Sequence, residues 1–239
     1  MIAINIVGFK KSGKTTFIGM LADIFQERGL TPGIAKFTHH GLDKAGTDTA
    51  WLMKPGRTVV GIGPEETAAF WSGPKYLPDL LPLMTADILL VEGGKNLGWL
   101  PRIILPKAPL SDEDATALKP ELAIATYGDT SIDGLPQFGP ESLDKLADLV
   151  LQQAFMLPGL DCGECGFTNC AGLAAAIVAG KEAPKQCAAR TGTVQITSNG
   201  QPLALNTFVE AMVLSVTRGM LQTLKGYTPG SEVEIRLKG

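Results

Sequence analysis

The residues best suited to chemistry form the sequence GFKKSGKT at positions 8–15. Two glycines let a short loop curl so that successive backbone N–H groups point at one anion. The lysine after the second glycine can reach the β- and γ-phosphates of a nucleotide, and the threonine hydroxyl can bind Mg²⁺. The predicted nucleotide-binding residues of this P-loop are Gly8, Lys10, Lys11, Ser12, Gly13, Lys14, Thr15 and Thr16.

The flanking sequence predicts the elements that a P-loop needs on either side. An apolar run at residues 2–7 predicts a strand, and Phe17, Leu21 and Ile24 recur on one face of the helix that follows. The N-terminus of that helix adds unpaired N–H groups and the positive end of its dipole to the phosphate site. Strand, loop and helix occur in the required order, which favours a phosphate site over a chance glycine-rich turn.

A second predicted strand ends in an acidic residue. Four consecutive apolar residues at 88–91 are typical of a strand buried on both faces of a parallel sheet, and Glu92 follows them before two glycines. We predict that Glu92 joins Thr15 around Mg²⁺ or orients a water molecule, and that Lys95 contacts phosphate. The alternative is a strand that simply ends in a tight turn.

A polar loop follows a short predicted strand at residues 34–37. In open α/β sheets, ligands bind beyond the carboxyl ends of the strands, so we expect this loop to face the phosphate site. It holds the only two histidines of the chain, which as isolated residues would be ordinary solvated side chains. The candidate substrate or partner residues of this loop are Lys36, His39, His40, Asp43 and Asp48.

Asp129 is a candidate for recognition of the base. It ends the sequence TYGD at residues 126–129, after a predicted strand. That sequence is similar to the N/T-K-x-D motif, whose aspartate accepts hydrogen bonds from guanine, although tyrosine stands in place of the lysine.

The four cysteines are confined to 26 residues, in the spacing C-x₂-C-x₄-C-x₁₆-C. A disulfide framework would normally be spread along a small secreted chain, so the clustering indicates a metal or cluster site. A zinc ribbon normally has two C-x₂-C pairs and this chain has one, which favours an iron–sulfur cluster over zinc or free structural thiols. The predicted ligands are Cys162, Cys165, Cys170 and Cys187.

Composition limits the classes of function. The net charge is −3, which does not support a nucleic-acid-binding surface. No basic leader and no apolar run long enough for a bilayer is present, so we expect a cytoplasmic protein without a membrane partner.

The fold predicted is α/β, a P-loop NTPase-type, mostly parallel sheet flanked by helices. Further strands are expected at 59–62, 102–105, 122–126 and 136–138. We predict three units: a nucleotide domain at 1–156, a cysteine module at 157–190 and a small ββαβ unit at 191–239. In the last unit, Asn199-Gly200 predicts a hairpin, Thr207 begins a helix, and residues 232–237 alternate as a strand. This unit is either a docking platform or structural cover.

Residues 1 to about 155 resemble the MobB family of molybdopterin-guanine dinucleotide biosynthesis. The matching stretches are 8–16, the K-x-x-H-H sequence at 36–40 with Asp43, Gly46, Asp48 and Thr49, then 87–95 and 100–103. The resemblance implies a homodimeric GTP-binding protein with weak or no GTPase activity. Such proteins are thought to assist the guanylyltransferase that attaches GMP to the molybdenum cofactor.

Residues 157–187 resemble the four-cysteine module that binds a 4Fe–4S cluster in Rnf electron-transport proteins and in corrinoid proteins of acetyl-CoA metabolism. The assignment of four irons follows from that resemblance alone. The expected cofactors are therefore GTP, Mg²⁺ and a 4Fe–4S cluster.

Three functions are compatible with these features. The first is a GTP-binding accessory protein in molybdenum or tungsten cofactor maturation, with the cluster in a redox or docking role. The second is an electron donor or activator of a metalloenzyme, gated by nucleotide hydrolysis. The third is an electron carrier with a regulatory P-loop.

Overall fold

The computed structural model describes residues 1–38, 40–43, 46–108, 110–190, 193–198 and 201–237. The strands are β1 (Ile2–Gly8), β2 (Pro32–Lys36), β3 (Thr58–Ile62), β4 (Thr67–Trp71), β5 (Ile88–Glu92), β6 (Arg102–Leu105), β7 (Ala123–Tyr127), β8 (Gln137–Phe138), β9 (Ile196–Ser198) and β10 (Gln201–Leu203). The helices are α1 (Lys14–Glu27), α2 (Asp48–Leu52), α3 (Leu77–Leu80), α4 (Asp112–Ala117), α5 (Leu143–Gln153), α6 (Cys170–Val178) and α7 (Thr207–Leu221).

The main sheet has the strand order β2-β5-β1-β6-β7-β8, and each neighbouring pair is parallel. The predicted α/β architecture is therefore confirmed. β1 lies between β5 and β6, so the P-loop that follows it leaves from the middle of the carboxyl edge. This edge is where α/β sheets place their ligands.

Alternate residues of the central strands pack into two different cores. Ile4 and Leu90 point to the side covered by α1 and α5, where Phe17, Leu21 and Leu146 are buried. This alternation is the two-residue period of a strand, applied to a sheet that is covered on both faces.

The second core contains residues from the cysteine module. Leu89 and Val91 of β5 pack in one apolar cluster with Leu157, Leu173 and the side chains of Cys170 and Cys187. The predicted units 1–156 and 157–190 therefore share this core, and their division into separate domains stays a prediction.

Among the chain's smaller elements, one predicted strand is wrong and one strand was not predicted. β3 was expected as a further strand, and it forms, but it pairs antiparallel with β4 in a separate hairpin that was not predicted. The strand predicted at 232–237 is wrong, because these residues have no regular secondary structure and Val233, Ile235 and Leu237 are exposed. In the part of the chain that the structure describes, no strand lies beside them to exchange hydrogen bonds.

The C-terminal region is thus a ββα arrangement in the described residues. β9 and β10 pair antiparallel, as the hairpin prediction requires, while Asn199-Gly200 lies outside the described residues. Pro78 and Pro82 limit α3 to one turn followed by a 3₁₀ turn, as expected for prolines inserted in a helical stripe. Every helix within the described ranges is too short or too polar to cross a bilayer.

Candidate functional site

The loop between β1 and α1 has the backbone conformation that its sequence predicts. Lys11 and Gly13, on either side of Ser12, have positive φ angles of 63° and 81°, as in the turn of an anion-binding loop. A Cβ atom on Gly8 would lie 2.5 Å from both the carbonyl oxygen of Leu105 and Oγ of Ser12, so only glycine fits there. Gly8 is therefore required by close packing, and Gly13 by its left-handed backbone conformation, which is strained for other residues.

Lys14 lies within this loop. Its Nζ atom donates to the carbonyl oxygen of Phe9 at 2.7 Å and to Oγ of Ser12 at 3.3 Å. Burial lowers the pKa of Lys14; Glu92 opposes this effect, while the positive charges of Lys95 and Lys36 add to it. Anionic phosphate would favour the charged form of Lys14 and relieve this crowding of positive charge.

Thr15 and Glu92 meet across the carboxyl edge of the sheet, as predicted. The Thr15 hydroxyl donates to the Glu92 carboxylate at 3.0 and 3.1 Å, and the Glu92 residue is only 8% exposed. Hydroxyl and carboxylate oxygens are ligands that Mg²⁺ prefers. The donor set therefore fits Mg²⁺, with Thr15 and Glu92 as the residues that would hold it.

Lys36 also belongs to this group, which the sequence did not indicate. Its ammonium group donates to both Glu92 oxygens at 2.9 Å and to Oγ1 of Thr15 at 3.2 Å. The parallel register pairs Lys36 directly with Glu92, so the last residues of β2 and β5 lie side by side. Knowledge of the strand order would have revealed this pairing, since both residues end their strands.

The loop after Glu92 is held by two buried polar side chains. Asn5 Nδ2 donates to the carbonyl oxygen of Gly94 at 3.2 Å, and Arg102 donates to the carbonyl oxygens of Leu97 at 2.7 Å and Lys95 at 3.4 Å. Arg102 is fully buried, and burial lowers its pKa to about 10, so it stays charged at neutral pH. Lys95 is thereby placed with Nζ 3.6 Å from the centre of the Phe9 ring, next to the P-loop.

A cleft of about 550 Å³ extends from the P-loop along the sheet edge. It is lined by Lys11, Ser12, Gly13 and Thr16 on one side, and by Lys107 and Asp129 on the other. Asp129 is exposed just after β7. The structure thus brings Asp129 to the P-loop cleft, and its role in base recognition stays a prediction. Lys107 was not predicted.

The polar loop after β2 is only partly described. His39 lies outside the described residues, and His40 is exposed, with its backbone N–H donating to Oγ1 of Thr38 at 3.1 Å. Asp43 accepts hydrogen bonds from the hydroxyls of Thr47 at 3.1 Å and Thr49 at 2.7 Å, which stabilises the start of α2. Asp48 is exposed in the first turn of α2. The predicted substrate or partner role of these residues stays a prediction, as does phosphate contact by the exposed Lys10.

The four cysteine thiols are free and lie in one region. Gly163 and Gly166 have φ angles of 76° and 87° and turn the chain between the first cysteines. Cys170 begins α6, and the backbone N–H of Asp161 donates to its Sγ at 3.4 Å. Amide donors of this kind stabilise sulfur that carries negative charge.

The electrostatics of the thiols indicate their proximity. Burial raises the pKa of Cys187, and the nearby Cys162 and Cys165 raise it further. Burial likewise raises the pKa of Cys170, so neither thiol ionises readily without a cation. An all-thiol donor set with amide donors to sulfur fits an iron–sulfur cluster, with the four cysteines as its ligands. Within the described residues, no three His, Cys, Asp or Glu side chains group closely enough for a single metal ion.

Glu164, between the first two cysteines, binds the N-terminus of α7. Its carboxylate accepts hydrogen bonds from the backbone N–H of Thr207 at 3.0 and 2.9 Å, and from the Thr207 hydroxyl. These bonds lower the pKa of Glu164. No local pattern in the sequence signals this contact, because the two residues are far apart in the chain.

Comparison with known proteins follows the same division of the chain. Residues 3–127, more than half of the chain, match the family model "Molybdopterin guanine dinucleotide synthesis protein B". The chain belongs to the MobB family. Residues 157–189 match a second model, "Putative Fe-S cluster". The resemblance to the MobB family is therefore confirmed, as is the assignment of the cysteine module to an iron–sulfur cluster family, while the four-iron type stays a prediction.

Alignments with relatives span different shares of the chain. The chain is 25% identical to the "Putative molybdopterin-guanine dinucleotide biosynthesis adapter protein" of Methanocaldococcus jannaschii, over 99% of this chain and 97% of the relative. It is 31% identical to the "Molybdopterin-guanine dinucleotide biosynthesis adapter protein" of Haemophilus influenzae, over 54% of this chain and 77% of the relative. Among solved structures, the crystal structure of Bacillus subtilis MobB matches with a TM-score of 0.51 and 27% sequence identity. This match covers 64% of this chain and 98% of that one.

Proposed function

We propose that this MobB-family protein binds GTP and Mg²⁺ and assists guanylation of the molybdenum or tungsten cofactor. One observation carries the proposal. At one edge of the sheet, the P-loop contacts Glu92 through Thr15 and also lines the cleft that contains Asp129. This site occurs in a chain that aligns along nearly the whole length of a relative named as an adapter protein of this biosynthesis.

Each part of the nucleotide has residues suited to it. The P-loop N–H groups and Lys14 bind the phosphates, Thr15 and Glu92 bind Mg²⁺, and Asp129 accepts hydrogen bonds from the N–H groups of guanine. As the family resemblance implies, any GTPase activity is weak, and the protein presents the nucleotide to a partner enzyme.

The cysteine module supplies the second cofactor. Cys162, Cys165, Cys170 and Cys187 hold a 4Fe–4S cluster, which provides one-electron chemistry or a rigid docking surface when bound. Support for this proposal comes from the all-thiol donor set and from the family match over residues 157–189.

The test is product formation by a guanylyltransferase with GTP and molybdenum cofactor under anaerobic conditions. We expect this protein to stimulate the reaction at limiting GTP, and His40→Ala and Asp43→Ala to reduce stimulation more than GTP affinity. Asp43 also stabilises the start of α2, so Asp43→Ala could act through that helix. Thr49→Val is the matched control, because it removes a hydroxyl that donates a hydrogen bond to Asp43 and keeps the carboxylate. Absence of stimulation would contradict the proposal.

A second candidate is an electron donor gated by GTP hydrolysis. The observation in its favour is that Gly98, six residues after Glu92, packs against Ala171, the neighbour of Cys170. This contact joins the Mg²⁺ side of the nucleotide site to the cysteine module. Fast GTP hydrolysis coupled to oxidation of the cluster, without stimulation of the transferase, would favour this function.

We also propose a cytoplasmic homodimer divided into the units 1–156, 157–190 and 191–239. Apolar side chains exposed near the β3–β4 hairpin, namely Trp51, Val60 and Ile62, support association through that region. The expected mass from light scattering is twice that of one chain, and Ile62→Lys should lower it. A monomer in the wild-type protein would contradict the proposed dimer.

A further inference from the structure

The ammonium group of Lys36 lies among the oxygens that this site offers to a divalent cation. It is 2.9 Å from each Glu92 oxygen and 3.2 Å from Oγ1 of Thr15. Three oxygens around one cationic nitrogen form a ligand set of the kind that hard cations prefer. Lys36 and a divalent ion therefore draw on the same atoms.

The backbone around Lys36 is fixed, but its side chain is not enclosed. Lys36 pairs with Glu92 in the parallel ladder, and the next N–H, that of Phe37, donates to the Glu92 carbonyl oxygen at 2.9 Å. The Lys36 side chain is 50% exposed, whereas that of Glu92 is 11% exposed. Displacement of Lys36 thus requires only rotation of a flexible side chain that is half exposed.

Charge decides when this rotation occurs. A buried carboxylate such as Glu92 requires a counter-charge, and Lys36 provides it. A divalent ion at the same oxygens would repel Lys36, and Lys14 and Lys95 already make this edge positive. The phosphates of a bound nucleotide are the anions that can receive the displaced ammonium group.

We propose that Lys36 competes with Mg²⁺ for Thr15 and Glu92 and, once displaced, binds the nucleotide phosphates. This inference rests on the proposed GTP site and deepens it. It makes Mg²⁺ and GTP bind cooperatively, because GTP removes Lys36 from the oxygens that Mg²⁺ needs. In the absence of nucleotide, Lys36 keeps divalent ions weakly bound.

The test compares Mn²⁺ binding by wild-type protein and Lys36→Met, measured by electron paramagnetic resonance without nucleotide. Methionine keeps the length of the side chain and removes its charge. We expect Mn²⁺ to bind at least about tenfold more tightly to the variant, within the usual range of coupling between sites. GTP with Mg²⁺ should bind more weakly to the variant in calorimetry, and the dependence of GTP affinity on Mg²⁺ should shrink.

Two controls locate the effect. Lys95→Met removes a positive charge from the same region, but Lys95 lies over the Phe9 ring and not on the Glu92 oxygens, so Mn²⁺ affinity should rise much less than in Lys36→Met. Adding Glu92→Gln to Lys36→Met should abolish the gain, since it removes the carboxylate. Lys36→Gln repeats the measurement if the methionine variant does not fold.

The outcomes separate this inference from the proposed function. Unchanged Mn²⁺ affinity in Lys36→Met and Lys36→Gln overturns the competition, even if the wild-type protein binds GTP tightly. If the wild-type protein fails to bind GTP with or without Mg²⁺, both the proposed function and the phosphate-binding role of Lys36 are overturned. The Mn²⁺ measurement then tests only the competition between Lys36 and the metal ion.

Discussion

Gly98 packs so closely against Ala171 that a Cβ atom on Gly98 would lie 2.7 Å from the Cβ of Ala171. The first residue belongs to the loop that follows β5, and the second to the first turn of α6, next to Cys170. The absence of a side chain at position 98 is therefore what allows the cysteine module to rest on the nucleotide domain.

Gly98→Ala should disturb this contact and lower the iron content of purified protein. Neither neighbour is the flexible end of a long side chain, so the loop or α6 must shift, at a cost of about 1–3 kcal/mol. Urea unfolding and iron analysis measure the two effects. Gly219→Ala is the control, because a Cβ there meets no atom within 4 Å. Normal stability and iron in Gly98→Ala would show that the contact is unimportant.

Lys14→Ala should weaken GTP binding by about 2–5 kcal/mol, the usual effect of truncating one member of a close charge pair. The fold should persist, because the side chain contacts only the loop at Phe9 and Ser12 through the bonds described. Calorimetry gives the affinity, and Lys10→Ala, at an exposed position of the same loop, is the control with a smaller expected loss. Equal affinities for wild type and Lys14→Ala would rule out the P-loop assignment.

Any one of the four Cys→Ser changes should reduce bound iron and acid-labile sulfide. Serine oxygen is a poorer ligand for iron than thiolate sulfur. Protein purified without oxygen should be brown, and its visible absorption should fall in each variant. Colourless protein that contains stoichiometric zinc would instead support the zinc alternative.

Asp129→Asn should relax the preference for guanine over adenine. The carboxylate is expected to accept hydrogen bonds from guanine N–H groups, and bonds to a charged group contribute about 1.5–3 kcal/mol. Competition between GTP and ATP measures the preference, with the exposed Asp133→Asn as the matched control. Equal binding of the two nucleotides by wild-type protein would contradict both the role of Asp129 and the choice of GTP.

Glu164→Ala should loosen the start of α7 and speed amide exchange there, because Thr207 loses its acceptor. Hydrogen bonds from Thr207 lower the pKa of Glu164, so the contact is complete above the ordinary carboxyl pKa and is lost as the pH falls through the lowered value. In Glu164→Gln the protection of α7, corrected for the intrinsic pH dependence of amide exchange, should not respond to that pH change. Exchange that is unaltered in Glu164→Ala would show that α7 is held by other contacts.

Local patterns in the sequence predicted the parts of the site that depend on neighbouring residues. The spacing from Gly8 to Thr15 and the acidic end of β5 each carry their chemistry within a few positions, and the cysteine cluster does so within one segment. Their roles follow from residue type and spacing because the strand-loop-helix context fixes the backbone.

Contacts between distant segments could not be predicted in the same way. Lys36 reaches Glu92 only because β2 lies beside β5, and Glu164 reaches Thr207 only because α7 begins near the cysteine module. The alternation at residues 232–237 misled the prediction because period-two hydrophobicity indicates a strand without supplying its partner. Strand order is a property of the whole chain, and single segments do not encode it.

The core shared by β5 and the cysteine module has a consequence for biosynthesis. Leu89 and Val91 leave the ribosome well before Leu173 and Cys187, which later cover them. The part of this core that the module supplies is therefore missing during translation until the module emerges and docks. Delivery of iron and sulfide to the nascent module would then act as a folding step for the nucleotide domain itself, since the same docking event completes its apolar interior.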